Sequence, residues 1–298
     1  MLSCTRKQGA AGLKASGRMQ TLSQVGRIEK PQNTRPRFFL RPGLWALAAL
    51  LAMLGTSLTA RAQDLFEIQT YPYETVEPGH TMFEFHANYY PSGTTTSEHG
   101  TYPVNHQFHL TMEVTHGLTK YWELGGYLVS AYVPDVGPKF AGGRIRPRFR
   151  IPETWHWPFG FSVSTELGFN KHQFDPNTIT LEIRPIIEKQ WGKWYFSGNP
   201  DLTKSFQGVD AHRGFGMEPA VKVSYSATKL LSPGLEYYAE TGPLADISNR
   251  HDQHHLLFPV LDVNSSENWE INFGVGRGFT GTSQHWVVKG ILGRRFKF

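Results

Sequence analysis

After Ala62 this 298-residue chain contains no cysteine and no apolar run long enough to cross a membrane as a helix. The single cysteine, Cys4, stands far upstream of the apolar stretch Leu44–Leu58, so it cannot become the lipid-bearing first residue of a lipoprotein. A mature chain without cysteine forms no disulfide and needs another source of stability in an exported compartment. Acidic residues are also scarce at the start. Before Pro42, three lysines and six arginines face only Glu29.

These absences frame what is present. The cationic stretch is followed by LWALAALLAMLGTSL and then by Thr59-Ala60-Arg61-Ala62, a small-residue site before Gln63. Basic region, apolar core and A-x-A site in that order are a secretory signal peptide. The apolar run is short of the roughly 20 residues that a transmembrane anchor needs. Residues 1–62 are therefore read as a leader that is removed, with Met19 offering a second start that would bring it to ordinary length. The leader also explains the charge. Ten of the 30 Lys and Arg but only one of the 25 Asp and Glu precede Gln63, leaving 20 cations against 24 acids. The formal net charge of +5 thus belongs to the leader, and a nucleic-acid partner has no support.

The mature chain alternates. In Gln107–Thr115, Phe108, Leu110, Met112 and Val114 share one face, and Gln107, His109, Thr111, Glu113 and Thr115 share the other. Phe83, Phe85, Ala87 and Tyr89 alternate with Glu84, His86 and Asn88, and Phe161–Phe169 behaves alike. A period of two with unlike faces is strand patterning. Twelve strands are expected, near 80–90, 106–116, 121–133, 140–151, 159–170, 178–189, 193–205, 214–226, 234–242, 254–263, 268–277 and 284–298. Pro147, Pro185, Pro200, Pro219 and Pro259 fall inside them, although proline cannot donate to a ladder. Long and short connections roughly alternate, as the outer loops and periplasmic turns of membrane barrels do. On that pattern the connections after odd strands face outward, and both termini lie in the periplasm.

A secreted β-sandwich alternates too. Two features favour a closed antiparallel transmembrane β-barrel over residues 79–298, preceded by a periplasmic segment, 63–78. Tyr and Trp gather at expected strand ends, where an amphipathic ring bridges apolar and wet layers. The chain then ends as a strand whose outward set is Trp286, Val288, Gly290, Leu292, Arg294, Phe296 and Phe298. This strand resembles the C-terminal strand of bacterial outer-membrane barrels, which the barrel-assembly machinery engages. The resemblance implies that Phe296 and Phe298 serve as an assembly signal, that lipid surrounds the wall, and that the location is the outer membrane of a Gram-negative-type cell. A second resemblance lies in EVTHGLTKYWELGGYLVSAY, Glu113–Tyr132. Its strand, Gly-Leu-Thr turn and Glu-Leu-Gly strand resemble a unit of outer-membrane transporters associated with meta-cleavage phenol degradation. That resemblance implies transport of small, aromatic compounds.

The inward sets hold the chemistry. Arg144, Arg146, Arg148 and Arg150 stand two apart on one face, roughly 6–7 Å between neighbours. Such a ladder needs carboxylates or anions opposite; Glu123 on the preceding strand and Glu166 on the following one are placed to face it, and Glu113 and Glu182 are further lumen carboxylates. The ladder is either a salt-bridge scaffold or an electropositive path for anions. His251, His254 and His255, with Asp252, form HDQHH in an expected outer loop; that density could hold a transition metal, though a plain surface loop is the simpler reading. No G-x-S-x-G, H-E-x-x-H or phosphate loop occurs, so neither an enzyme nor a cofactor is expected. The expected function is passage of a small, anionic or aromatic solute. The alternatives are a closed structural or interaction barrel with binding loops and, third, a barrel-edge hydrolase.

Overall fold

The computed structural model describes residues 64–297. The expected leader and Phe298 lie outside the described residues. Twelve strands are formed: β1 (His80–Ser92), β2 (Phe108–Gly117), β3 (Trp122–Val133), β4 (Gly137–Arg150), β5 (Gly160–Asn170), β6 (Asn177–Trp191), β7 (Trp194–Gly208), β8 (Gly216–Tyr225), β9 (Leu231–Glu240), β10 (His254–Val263), β11 (Trp269–Gly278) and β12 (Trp286–Lys297). Each is antiparallel to its neighbours, and β1 pairs with both β2 and β12, from His80↔Lys297 to Ser92↔Trp286, which closes the barrel.

The two faces of every strand settle which side meets lipid. Leu128, Leu235 and Phe273 point outward and are 55%, 52% and 53% exposed, whereas Glu123, Thr111 and Arg146 point inward and are 0%, 0% and 2% exposed. Apolar surface outside and ions inside would be costly in water. It is the arrangement that hydrocarbon around the wall selects, because closure leaves no unpaired strand edge.

The five prolines expected inside strands, Pro147, Pro185, Pro200, Pro219 and Pro259, all lie on the outward face, and three interruptions of the ladder coincide with them. Pairing of β4 with β5 jumps from Ile145↔Leu167 to Arg148↔Ser164 across Pro147. Between β6 and β7 it jumps from Ile183↔Leu202 to Ile187↔Gly198 across Pro185 and Pro200, and between β10 and β11 from Leu257↔Arg277 to Val260↔Gly274 across Pro259. Each missing N–H is absorbed as a local gap, and the strand continues.

Connections depart from simple alternation twice. The link from β3 to β4 is only 134–136, and the 151–159 link at the opposite end carries a short 3-10 turn, Glu153–Trp155. The long connections 93–107 and 241–253 still share the end expected to face outward. The aromatic girdle is one-sided. Among the described residues, Trp122, Trp155, Trp157, Trp191, Trp194 and Trp269 are exposed at the end where β1 begins and β12 ends, and Trp286 alone stands at the other. Phe140, Phe169, Phe206 and Tyr132 occupy that far end instead.

Residues 63–78 were expected as a periplasmic segment; the part described from Asp64 to Val76 lies instead inside the barrel. Phe66, Glu67, Ile68, Gln69, Thr70 and Tyr71 are all buried, polar and apolar alike, because wall surrounds them. The chain leaves the lumen at Gly117, where Pro78 bridges to it in parallel and Gly79 N–H bonds its carbonyl at 3.0 Å. A Cβ on Gly117 would lie 2.2 Å from the Glu77 carbonyl oxygen, so glycine is required there. The reason for the difference is chemical: Asp64 and Glu67 pair with Arg144 and Arg184, and Tyr71 lays its ring against guanidiniums, partners that the wall holds and water does not.

Lipid exposure of the wall sets a test. Leu128→Arg, at mid-strand on the outward face, should lower the folding free energy in vesicles by about 2–4 kcal/mol, whereas an arginine near the strand ends should cost about 0–1 kcal/mol. Equilibrium denaturant titration in bilayers reads the difference, and equal effects at both depths would contradict the outward assignment.

Candidate functional site

The interior is built where the inward side chains of β1–β12 meet the threaded segment. At the far end the Leu65 carbonyl accepts from Asn88 Nδ2 at 3.1 Å, from Tyr90 Oη at 2.5 Å and lies 3.1 Å from His109 Nδ1. Phe66 stacks on the His109 ring with centroids 4.1 Å apart and meets Phe174 edge-on at 5.9 Å. The Phe66 carbonyl accepts from Thr111 Oγ1 at 3.1 Å.

One level down, Arg144 binds Asp64, and it reaches Glu67 and Glu166 at 3.1 Å each. Glu67 also faces Arg184 at 3.4 Å, and Arg184 is held by Glu182 at 2.7 Å and Asp201 at 3.1 Å. On the opposite wall Lys289 donates to the Ile68 carbonyl at 2.9 Å and pairs with Glu236.

Tyr71 occupies the centre. Its ring is 4.4, 5.1 and 5.6 Å from the guanidinium carbons of Arg184, Arg146 and Arg148, so three cations face one π-system. Its hydroxyl contacts Glu67, Glu113 at 3.3 Å and Tyr127 at 3.2 Å. Its backbone is gripped by β7: the N–H donates to Asn199 Oδ1 at 2.7 Å, and the carbonyl accepts from Ser197 Oγ at 2.9 Å. Burial, then Glu113 and Glu67, push the Tyr71 phenol well above its ordinary value, so it stays a donor. Nearer the end where β1 begins, Pro72 O accepts from Arg148 Nη1 at 3.0 Å, Tyr73 N–H donates to Glu188 at 2.9 Å, and Val76 N–H donates to Glu123 at 2.6 Å.

The expected ladder is thus real in geometry. Arg144, Arg146 and Arg148 are buried and inward, and Glu113, Glu123 and Glu166 stand against them; Arg146 binds Glu113 and lies 3.0 Å from Glu123, which is 2.6 Å from Arg148. Arg150 is at the rim with Glu153 at 2.8 Å, and Glu182 serves Arg184 rather than the ladder. Among the ion pairs of the described interior, six Lys and Arg side chains face ten carboxylates, with His86 as the further base. The excess is acidic. Sequence reasoning missed Asp64, Glu67 and Tyr71, whose only signal was two acids and three aromatics directly after the expected cleavage site.

The histidine loop is not gathered. His254 lines the interior, while His255, its neighbour on β10, points to the other side, where Tyr237 Oη is 2.6 Å from Nδ1 and Gln253 Oε1 is 2.8 Å from Nε2. Phe296 faces outward, edge-on to Phe83 at 5.8 Å, with the Arg294 guanidinium 4.9 Å from its ring.

Between the threaded segment and the far mouth lies a cavity of about 480 Å³. Phe66, Tyr102 and Phe174 form its aromatic side, with Tyr102 and Phe174 5.5 Å apart. Glu98, Glu182 and Glu218 are among the acids that line the rest.

No family model and no curated protein matches this sequence. Solved structures do. The fold is similar to an outer-membrane channel of Pseudomonas putida F1, at a TM-score of 0.52 and 10% identity over 77% of this chain and 100% of that one. The KdgM porin aligns at 0.45 and 10% over 73% of this chain and 99% of its own. The transport unit of the autotransporter AIDA-I from Escherichia coli aligns at 0.48 and 13% over 87% and 100%. At such identity the likeness to the Pseudomonas channel establishes the fold, that of outer-membrane β-barrels.

Removing single charges probes this interior. Arg146→Met takes the guanidinium from Glu113, leaves Glu123 with Arg148 alone and should destabilise the barrel by about 3–5 kcal/mol, while Arg150→Gln at the rim should cost at most about 1 kcal/mol; denaturant melts in detergent compare them. Asp64 gives a pH test. Burial opposes its charge, but Arg144, the Phe66 N–H and Arg184 together outweigh burial and hold the carboxyl below the ordinary 3.8. A lowered folded-state value means that its contribution to docking is complete above 3.8 and fades as pH falls through the lowered value. Corrected for the intrinsic rate at each pH, hydrogen exchange at Tyr71, Tyr73 and Val76 should therefore speed up in acid. Asp64→Asn should speed it at neutral pH by the equivalent of roughly 1.5–3 kcal/mol, and unchanged exchange in that variant would show that Asp64 does not anchor the segment.

Proposed function

We propose that this protein is an outer-membrane channel held shut by its own N-terminal segment, with an outer mouth suited to small neutral or cationic solutes, aromatic rings included. The observation that carries this reading is the way residues 64–76 are held. They form no strand and join no ladder; side chains of the wall grip them one group at a time. A segment held so can leave without opening the sheet.

The fold shared with outer-membrane barrels supports the location, and the exposed apolar wall supports lipid as its surroundings. Insertion through the terminal strand by the barrel-assembly machinery belongs to the same reading. The ladder offers no free cation for the expected anion path. Each ladder guanidinium already has a carboxylate, so none is left to attract a solute. The ladder is scaffold. Aromatic solutes suit the mouth, because Phe66, Tyr102 and Phe174 offer ring faces beside acids there.

Planar-bilayer recording tests the proposal. The mature chain should show rare, small currents, and a variant lacking residues 64–76 should show stable unitary steps with potassium preferred over chloride. A deletion variant that folds and inserts yet stays silent would overturn the channel reading in favour of a closed interaction barrel.

A further inference from the structure

Two carboxylates face each other directly across the β1–β2 ladder, Glu84 opposite Glu113. Like charges in that position are destabilising, and both side chains are buried, at 4% and 3% exposure. His86, two residues along β1 and 1% exposed, completes the group. Its Nε2 is 2.8 Å from Glu84 Oε1 and 3.6 Å from Glu113 Oε2, and the three candidate ligand atoms lie within 4.8 Å of one another. Nε2 of His86 faces these two carboxylate oxygens without a well-aligned hydrogen bond to either, and Nδ1 has no hydrogen-bond partner. A fully buried imidazole that aims Nε2 between two carboxylate oxygens is the second observation that lifts this group above an acidic cluster.

We infer that Glu84, His86 and Glu113 form a site for a divalent transition cation of the Zn²⁺ type, set in the barrel interior. Neighbouring ligands of a tetrahedral ion with bonds of about 2.0–2.1 Å are about 3.3 Å apart, and the two measured separations bracket that figure. One imidazole with two carboxylates suits Zn²⁺ or Mn²⁺, whereas Ca²⁺ takes six or more oxygens. Glu113 is divided between two tasks: Oε1 takes Arg146 and the Thr115 hydroxyl, which leaves Oε2 toward His86. Arg146 thus orients the carboxylate from outside the site, as outer partners of metal ligands do. A bound cation also offsets the excess of interior carboxylate. Tyr71 Oη lies 3.3 Å from the same Oε2, so the ion and the threaded segment share one wall residue. The site does not depend on whether the barrel conducts.

Co²⁺ titration of the full mature chain, folded in detergent and freed of metal, tests the assignment. One saturable equivalent with visible ligand-field bands, displaced by Zn²⁺, is expected. Glu84→Gln and His86→Asn should each weaken binding beyond the roughly 10–100-fold loss that changes outside the first ligands produce, while His251→Gln leaves it unchanged. The shift of folded barrels in unheated gels verifies that each variant is folded. Folded wild-type protein without saturable binding would overturn the site and leave His86 as a structural partner of the two carboxylates. Binding that survives both interior substitutions would overturn it equally, by placing the ion elsewhere.

Discussion

Everything inside this barrel depends on matching buried charge. Lipid outside forces each strand to send its ionisable side chains inward, and a lumen closed by twelve strands gives them little water. An unpaired ion there costs several kcal/mol, so Arg144, Arg146, Arg148 and Arg184 must each find carboxylates. The wall supplies Glu113, Glu123, Glu166, Glu182 and Asp201, and the threaded segment adds Asp64 and Glu67. Tyr71 meets the same constraint differently, placing a π-face against three guanidiniums where a further carboxylate would have deepened the acidic excess.

The strands were legible in the sequence because a period of two with unlike faces has one reading when lipid and ions take opposite sides. Phe108 to Val114 and Glu84 to Asn88 carried that signal without ambiguity. The prolines obscured it, since a missing N–H argues against a strand; the ladder gaps at Pro147, Pro185 and Pro259 show how the wall absorbs them. Strand β9 begins at Leu231, earlier than expected, because Pro233 and Gly234 pair with Leu261 and Val260 although neither favours a strand.

The interior was half legible. Parity placed Arg144, Arg146 and Arg148 on one face and gave them Glu123 and Glu166, because both follow from strand order. It could not give the threaded segment. Asp64 to Val76 has no period, and its partners stand on strands up to more than two hundred residues away, as the Ile68 carbonyl and Lys289 do. Nothing local encodes such a contact. The Glu84–Glu113 facing was hidden for a related reason: both residues were readable as inward, but their exact opposition is a matter of register, which the β1–β2 connection of 93–107 does not fix by itself.

The wall can stand without the segment. If residues 64–76 leave, Arg144 loses Asp64 and Glu67 but keeps Glu166, and Arg184 keeps Glu182 and Asp201. Arg146, Arg148, Lys222 and Lys289 hold partners wholly within the wall, in Glu113, Glu123, Glu236 and Asp262. What departs is mostly a set of hydrogen bonds between side chains and segment backbone, each of which water can replace at a net cost of about 0.5–1.5 kcal/mol. Removing Glu67 and Asp64 also takes two negative charges out of an interior already rich in carboxylate. The same balance that makes the segment a good occupant therefore leaves the emptied lumen intact, and a network that closes on itself before the segment arrives is what a displaceable plug requires.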